Sequence, residues 1–271
     1  MIINPYLFGA AYDADAQAFI TAAAITDVTQ QGAINTLVLA LKGYSIWNDL
    51  LAIYPVVGGT ASQHKYNLKD PRDLDVAFRL TFATGWTHSS TGMLPNGATF
   101  ANSFLTPNVN IPTGGDSLHY YSRTNATSTN DYMIGCETLS PTTILGLVGK
   151  RTANGRGFYL SSNPSLTYQN AQQDNLARDT RGLFSGTGDG ANTYFYLKGV
   201  QLATNTTLQT LLSRATNILY LGASRNNAGT AINFTSKECA FAAIAKEMTT
   251  TKLVDLNTIV QAYQTTLSRQ V

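Results

Sequence analysis

The chain has 271 residues, 13% of them charged and 44% apolar, with a formal net charge of +2. Charged residues are about half the ~25% usual in soluble domains. Thr, Asn and Ser take their place, and since Thr suits pleated strands and Asn and Ser suit turns, this predicts a β-rich chain with neutral polar loops. No clustered run of Lys and Arg offers a surface to phosphates, which argues against a nucleic-acid partner. No apolar run reaches the ~18 residues of a membrane span, which argues against a membrane partner.

Residues 1–12 form an apolar, aromatic lead with Pro5, Tyr6, Leu7 and Phe8. It has no helical or strand period and lacks the basic start of a secretory signal. A helical lead is expected over 13–58. Asp13 or Asp15 can cap a short helix carrying Phe19 and Ile20, because a carboxylate accepts the free amides of a first turn. Thr26 or Asp27 opens a second helix, in which Ile34, Leu37, Val38 and Leu41 repeat at three-four spacing, and Gly43 ends it. Residues 45–54 read as a third helical piece with Trp47, Leu50, Leu51 and Tyr54 on one side, stopped by Pro55.

Over 59–271 the apolar period becomes alternating. Val76, Phe78, Leu80 and Phe82 alternate with Ala77, Arg79 and Thr81, as in a strand with one buried face. Further strands are expected at 118–122, 132–136, 144–148, 158–161, 182–185, 194–197, 200–203, 218–222 and 239–244. Turn signals separate them, among them Pro95-Asn96-Gly97 and a glycine-rich loop at Gly186–Gly190. Many short strands at short intervals argue a sandwich or barrel. A closing helix is expected at about 249–267, with Leu253, Leu256, Ile259, Val260, Tyr263 and Leu267 on its apolar face. Helices this few cannot bury each other and should pack on the sandwich or on a neighbouring chain.

Residues 194–203, Tyr-Phe-Tyr-Leu-Lys-Gly-Val-Gln-Leu-Ala, resemble the hairpin of concanavalin A-like and laminin-G-like jelly rolls. The turn here is Lys198-Gly199, where those folds favour Asn or Asp before the Gly. Ile218–Ala223, then Phe234–Ala245, then the closing helix resemble the end of the same fold. This resemblance covers roughly residues 60–271. It implies a mainly β jelly-roll sandwich with N-terminal helices and a C-terminal helix. The longer strings AQAFITAA, VGGTASQHKYNLKDPRDLDVAFRL, GWTHSSTG, LHYYSRTN and VQAYQTTLSRQV resemble virion proteins of tailed bacteriophages. That resemblance implies a non-enzymatic structural protein of the tail, a fibre or the head surface, made in the bacterial host cytoplasm. Its expected partners are other virion proteins and further copies of itself. Residues Pro5, Tyr6, Leu7, Phe8 and Trp47 are the candidates for assembly contacts.

Concanavalin-like folds also host glucanases and polysaccharide lyases, so an enzyme reading needs weighing. Retaining glycosidases need two carboxyl groups about 5 Å apart. The chain has three Glu (Glu137, Glu238 and Glu247), and none begins the Glu-x-Asp pattern that puts two acids on one strand face. Asp70, Asp73 and Asp75 form an acidic cluster that holds Pro71 and Arg72, the pattern of a polar turn with an Arg–carboxylate pair. His64, His88 and His119 lie apart without zinc spacing, and no Gly-x-Ser-x-Gly elbow occurs. The Gly186–Gly190 loop leads into a strand and so makes no phosphate cradle. Cys136 and Cys239 read as two solitary buried thiols.

No cofactor is expected beyond Ca²⁺, for which Asp116, Asp131 and Asp189 in polar turns are candidates. A shallow glycan site needs an exposed aromatic ring with amides and hydroxyls around it. Trp86 and His88, with Thr87, Ser89 and Ser90, offer that mixture in one loop. Asn226 and Asn227 beside Arg225 form a second polar loop. Of Tyr120 and Tyr121, one should face outward, and Tyr121 joins the glycan candidates. Two alternatives therefore stand beside the structural role: a host-glycan-binding receptor-recognition adhesin, and a polysaccharide depolymerase of concanavalin-like fold.

Overall fold

Asp13 and Asp27 cap the first two helices, their carboxylates accepting the Asp15 and Gln30 amides at 3.0 and 2.8 Å. The computed structural model describes residues 12–112, 114–126, 131–139, 142–151, 155–160, 169–173, 179–188, 192–206 and 214–271. Helices α1 (Ala14–Ala22) and α2 (Val28–Gly43) precede strand β1 (Leu50–Tyr54) and the short α3 (Ala61–His64). Next come β2 (Thr81–Phe82), β3 (Trp86–Ser89), β4 (Gly92–Pro95), β5 (Ala101–Asn102) and α4 (Pro107–Asn110). The long central strands are β6 (Asp116–Ser122), β7 (Tyr132–Leu139), β8 (Thr142–Arg151) and β9 (Gly155–Leu160). They are followed by β10 (Gln169–Gln173), β11 (Gly182–Gly188), β12 (Thr193–Leu197) and β13 (Val200–Asn205). The chain ends with β14 (Tyr220–Leu221), β15 (Ser224–Arg225), β16 (Ala231–Ile232), β17 (Cys239–Lys246) and α5 (Thr250–Thr266).

Two sheets face each other, as the sequence predicts for a mainly β jelly-roll sandwich with N-terminal helices and a C-terminal helix. Among the described residues the first runs β13-β12-β11-β6-β17-β4-β3, with β1 also paired to β17, and the second runs β10-β9-β8-β7-β14-β5-β2 with β15 and β16 attached. The helices make a third layer. Alternation along β6 and β17 sends Tyr120, Ala242 and Ile244 into the core between the sheets. Tyr121, Phe241 and Ala243 point the other way, against residues of α1, α2 and α5. Both faces of the first sheet's centre are therefore covered, and β6 and β17 read as near-continuous buried runs.

Four expectations need correction. Residues 50–54 are a strand, not the end of a helix: they pair antiparallel with 242–245 of β17. A short apolar run between Asp49 and Pro55 fits either period, and the open edge of β17 decides it. The helical lead over 13–58 thus contains a strand of the sandwich. Residues 76–82 are not one strand. Asp75–Ala77 form a 3-10 turn, Phe78 has a φ of 59°, and Val76 is 73% exposed. Ion pairs of Arg79 with Asp73 and Asp75 (both 2.8 Å) close that turn, and the Tyr54 hydroxyl donates to the Phe78 carbonyl at 2.7 Å. Gly186 and Gly188 lie within β11 and not in a loop; Asp189 and Gly190 lie outside the described residues. The strand expected at 218–222 shortens to Tyr220–Leu221. The Lys198-Gly199 turn is present, with φ of 54° and 73°, the left-handed pair that a two-residue hairpin needs.

Candidate functional site

Strand β3 is an edge of the first sheet, and its side chains alternate between faces. Trp86 and His88 share a face, so these two residues sit on a strand and not in a loop. The Phe82 ring from β2 meets both edge-on, with centroids 5.5 Å from Trp86 and 4.6 Å from His88. All three rings are half-buried, while Thr87 is exposed. The Trp86 indole N–H donates to the Phe100 carbonyl at 3.0 Å. Its six-membered ring lies on Gly222, where a Cβ would come within 2.8 Å of it. The indole is therefore held rigidly, its N–H is used inside the fold, and only ring surface remains for a ligand.

Phe100 links this cluster through its backbone carbonyl to a second aromatic pair, of which Tyr220 is buried. Its ring stacks on Tyr220 at 4.3 Å and 17°, and the Arg225 guanidinium lies 5.8 Å above the Tyr220 ring. The Asn226 side-chain oxygen accepts the Thr230 amide at 2.9 Å and shapes the turn between β15 and β16, on which Asn227 is exposed. The fold thus joins the two sequence-predicted groups, Trp86 with His88 and Asn226 with Asn227, through Phe100 and Tyr220. Neither linking ring stood out in the sequence: Phe100 flanks a two-residue strand with no readable period, and Tyr220 fell in an expected strand with no polar loop of its own to mark it.

Tyr121 does not join them. It is fully buried beneath α5, its hydroxyl donating to the Gln261 side chain at 3.1 Å and accepting the Val271 amide at 3.0 Å. The expectation that one of the two tyrosines faces outward fails because the helix layer covers the sheet's outer face.

The fold also gathers two of the three histidines. The Nδ1 atoms of His64 and His88 lie 2.9 Å apart, so one hydrogen must sit between them. His64 is 1% exposed with its Nε2 buried and unpartnered. A bare ring nitrogen is cheaper to bury than an orphan N–H, so we assign His64 as the donor. Burial pushes the His64 imidazole down to about 3, reinforced by His88 and Arg269, and burial lowers His88 too. His119 is buried elsewhere, its Nδ1 2.9 Å from the Ser185 hydroxyl, and is likewise pushed down to about 3 by burial.

Several of the acids face cations. Asp116 begins β6, 1% exposed, with Oδ1 2.8 Å from Arg214 Nε; burial raises its carboxyl to about 6 against the pull of that guanidinium. Asp131 pairs with Lys237 at 3.1 Å, both 1% exposed. Asp116 thus lies within β6, not in a turn, and Asp131 stands directly before β7 with residues 127–130 outside the described residues. Asp189, the remaining calcium candidate, lies outside the described residues. Among the described residues no three His, Cys, Asp or Glu side chains converge as for a metal ion. Glu238 is bound by Arg123 at 3.1 Å and by the Thr91 hydroxyl at 2.8 Å. The Asp70–Asp75 cluster is the expected polar turn: Arg72 holds Asp70, and Lys65 and Arg79 share Asp73. The Arg72 and Lys65 contacts depress the carboxyls of Asp70 and Asp73 respectively. Cys136 and Cys239 are free and buried, as expected.

Of the assembly candidates, Pro5, Tyr6, Leu7 and Phe8 lie outside the described residues. Trp47 is half-buried in the turn after α2, packed on the core under α1 and α2, with Lys69 Nζ 3.9 Å above its ring.

No family model and no curated protein matches the chain. Among solved structures, domain 4 of AbnA, an extracellular GH43 arabinanase from Geobacillus stearothermophilus, is similar at 13% identity and a TM-score of 0.48, over 77% of this chain and 98% of that one. The CBM40 of the Ruminococcus gnavus IT-sialidase matches at 12% identity and a TM-score of 0.39, over 53% and 81%. The NanB sialidase of Streptococcus pneumoniae matches at 9% and 0.44; the match covers 54% of this chain and about a quarter (24%) of the sialidase. At these identities and TM-scores the likenesses assign no family, ligand or activity to the chain.

Proposed function

We propose that the chain is a non-enzymatic structural protein of a tailed-phage virion, with the aromatic band from Trp86 through Phe100 to Arg225 and Asn227 as a shallow glycan contact on its jelly roll. The sequence resemblance supports the virion part. One observation carries the rest: the rigid, half-buried Trp86 ring lies beside the exposed Thr87 hydroxyl, and the Phe100–Tyr220 stack links it to Arg225 and the exposed Asn227 amide on the β15–β16 turn. A sugar ring can lay its CH face on such a ring and bond its hydroxyls to Thr87, Arg225 and Asn227. Contact on an open ring face makes single-site affinity low, and many copies on one particle supply the avidity.

A dedicated receptor-recognition adhesin is the second reading, favoured by the same band. A glycan array probed with multivalent protein tests the contact. Binding that Arg225→Ala and Asn227→Ala weaken at least tenfold supports it; no binding to any glycan removes both the contact and the adhesin. Incubation with host capsule polysaccharide tests the non-enzymatic part. Release of reducing ends, or of unsaturated ends absorbing in the ultraviolet, would identify a depolymerase instead.

A further inference from the structure

Helices α2 and α5 leave between them an apolar groove of about 200 Å³, formed chiefly by Leu37 and Ala40 on α2, Tyr44 just past its end, and Ile259, Ala262 and Tyr263 on α5. The small side chains at 40 and 262 create the space. Tyr44, the C-cap residue of α2, lines this groove and is 51% exposed.

Residues 1–11, Met-Ile-Ile-Asn-Pro-Tyr-Leu-Phe-Gly-Ala-Ala, carry no charged side chain and five large apolar ones after Met1. The described chain starts at Tyr12, and its exit is pinned: the Asp13 amide donates to Asn35 Oδ1 at 2.7 Å and the Asp13 carboxylate pairs with Lys42 at 2.7 Å. At 3.6 residues per turn, Asn35 and Lys42 lie on the side of α2 opposite to Leu37 and Ala40. Asp13 therefore sits on one side of α2 while the groove opens on the other. Eleven residues span at most about 36 Å when extended, enough to reach an adjoining molecule.

We propose that residues 1–11 of one copy occupy the α2–α5 groove of a second copy, joining copies head to tail. Donor and acceptor lie on different sides of the subunit, so the contact is heterologous and builds rings or open chains in place of a closed two-fold pair. The inference rests on the structural-protein reading and is independent of the glycan band.

Sedimentation of the full chain over a range of concentrations tests it. Wild type forms species larger than a monomer. The double variant Leu7→Ser/Phe8→Ser, and separately Thr36→Arg/Ala262→Arg, weaken association at least tenfold. Positions 36 and 262 are exposed, so melting curves should show the groove variant folded. Mixing the two variants restores one junction and yields a dimer, because one retains the groove and the other the segment. A wild type that stays monomeric, association that survives either variant, or a mixture that fails to pair each overturns the proposal. A monomeric chain that still joins particles would overturn this contact and leave the virion reading standing.

Discussion

The Arg269 guanidinium donates to the Ala240 carbonyl at 2.9 Å, fastening the end of α5 to strand β17. It also reaches the Pro55 and Val56 carbonyls at 3.0 and 2.6 Å and the Gln264 side chain at 2.6 Å, while 2% exposed. One side chain thus locks the closing helix to β17 and to the chain leaving β1. Replacing it with Leu strands several buried carbonyls, each costing about 1–3 kcal/mol. Arg269→Leu is expected to lower stability by at least about 3 kcal/mol, read as a lower denaturant midpoint with an unchanged slope. A midpoint equal to wild type would show that the clamp holds nothing.

Acid should weaken the fold. His64 and His119 are pushed down to about 3, so between about 3 and 6.5 the unfolded chain binds more protons than the folded one. Stability from both therefore falls as pH drops below 6.5. Asp116, raised to about 6, acts oppositely: its contribution is full below the ordinary carboxylate value and fades as pH rises through 6. Two histidines with wider windows outweigh one aspartate, for a net loss on the order of 2 kcal/mol between pH 7 and pH 5. Urea midpoints at the two pH values measure this, and a midpoint that rises on acidification contradicts it.

Lys237 and Asp131 form a buried pair under the second sheet. Removing only the cation leaves a buried carboxylate without it, at a cost of about 3–5 kcal/mol. Lys237→Met should show that loss, and Asp131→Asn/Lys237→Met should recover most of it. Equal stability of the single and double variants would count against the pairing.

Gly222 supports Trp86. Its φ is +85°, and a Cβ there would approach Trp86 Cζ2 to 2.8 Å. Gly222→Ala should destabilise the fold and shift tryptophan emission, with a reduced glycan response if the band is the contact. An unchanged emission spectrum would mean that the indole does not rest on this glycine.

Much of the sandwich was legible in the sequence because long strands such as β7, β8 and β17 carry contiguous runs of apolar and small residues, and the Lys198-Gly199 turn announces its hairpin. Leu50–Tyr54 was misread because a five-residue apolar run has no period of its own and its state is set by β17, nearly two hundred residues away. Tyr121 was misread because alternation predicts two faces but does not say that helices cover the outer one. In the band, Trp86 and Asn227 were visible as residue types. The Trp86–Phe100–Tyr220 link and the His64–His88 contact exist only through tertiary pairing of short strands and loops.

Quantitative mass spectrometry of purified phage particles, combined with labelling of intact particles by antibody against the β15–β16 turn, tests the central claim most directly. The account predicts many copies per particle with that turn accessible from outside. A chain absent from purified particles, and recovered only free in the lysate, would contradict it.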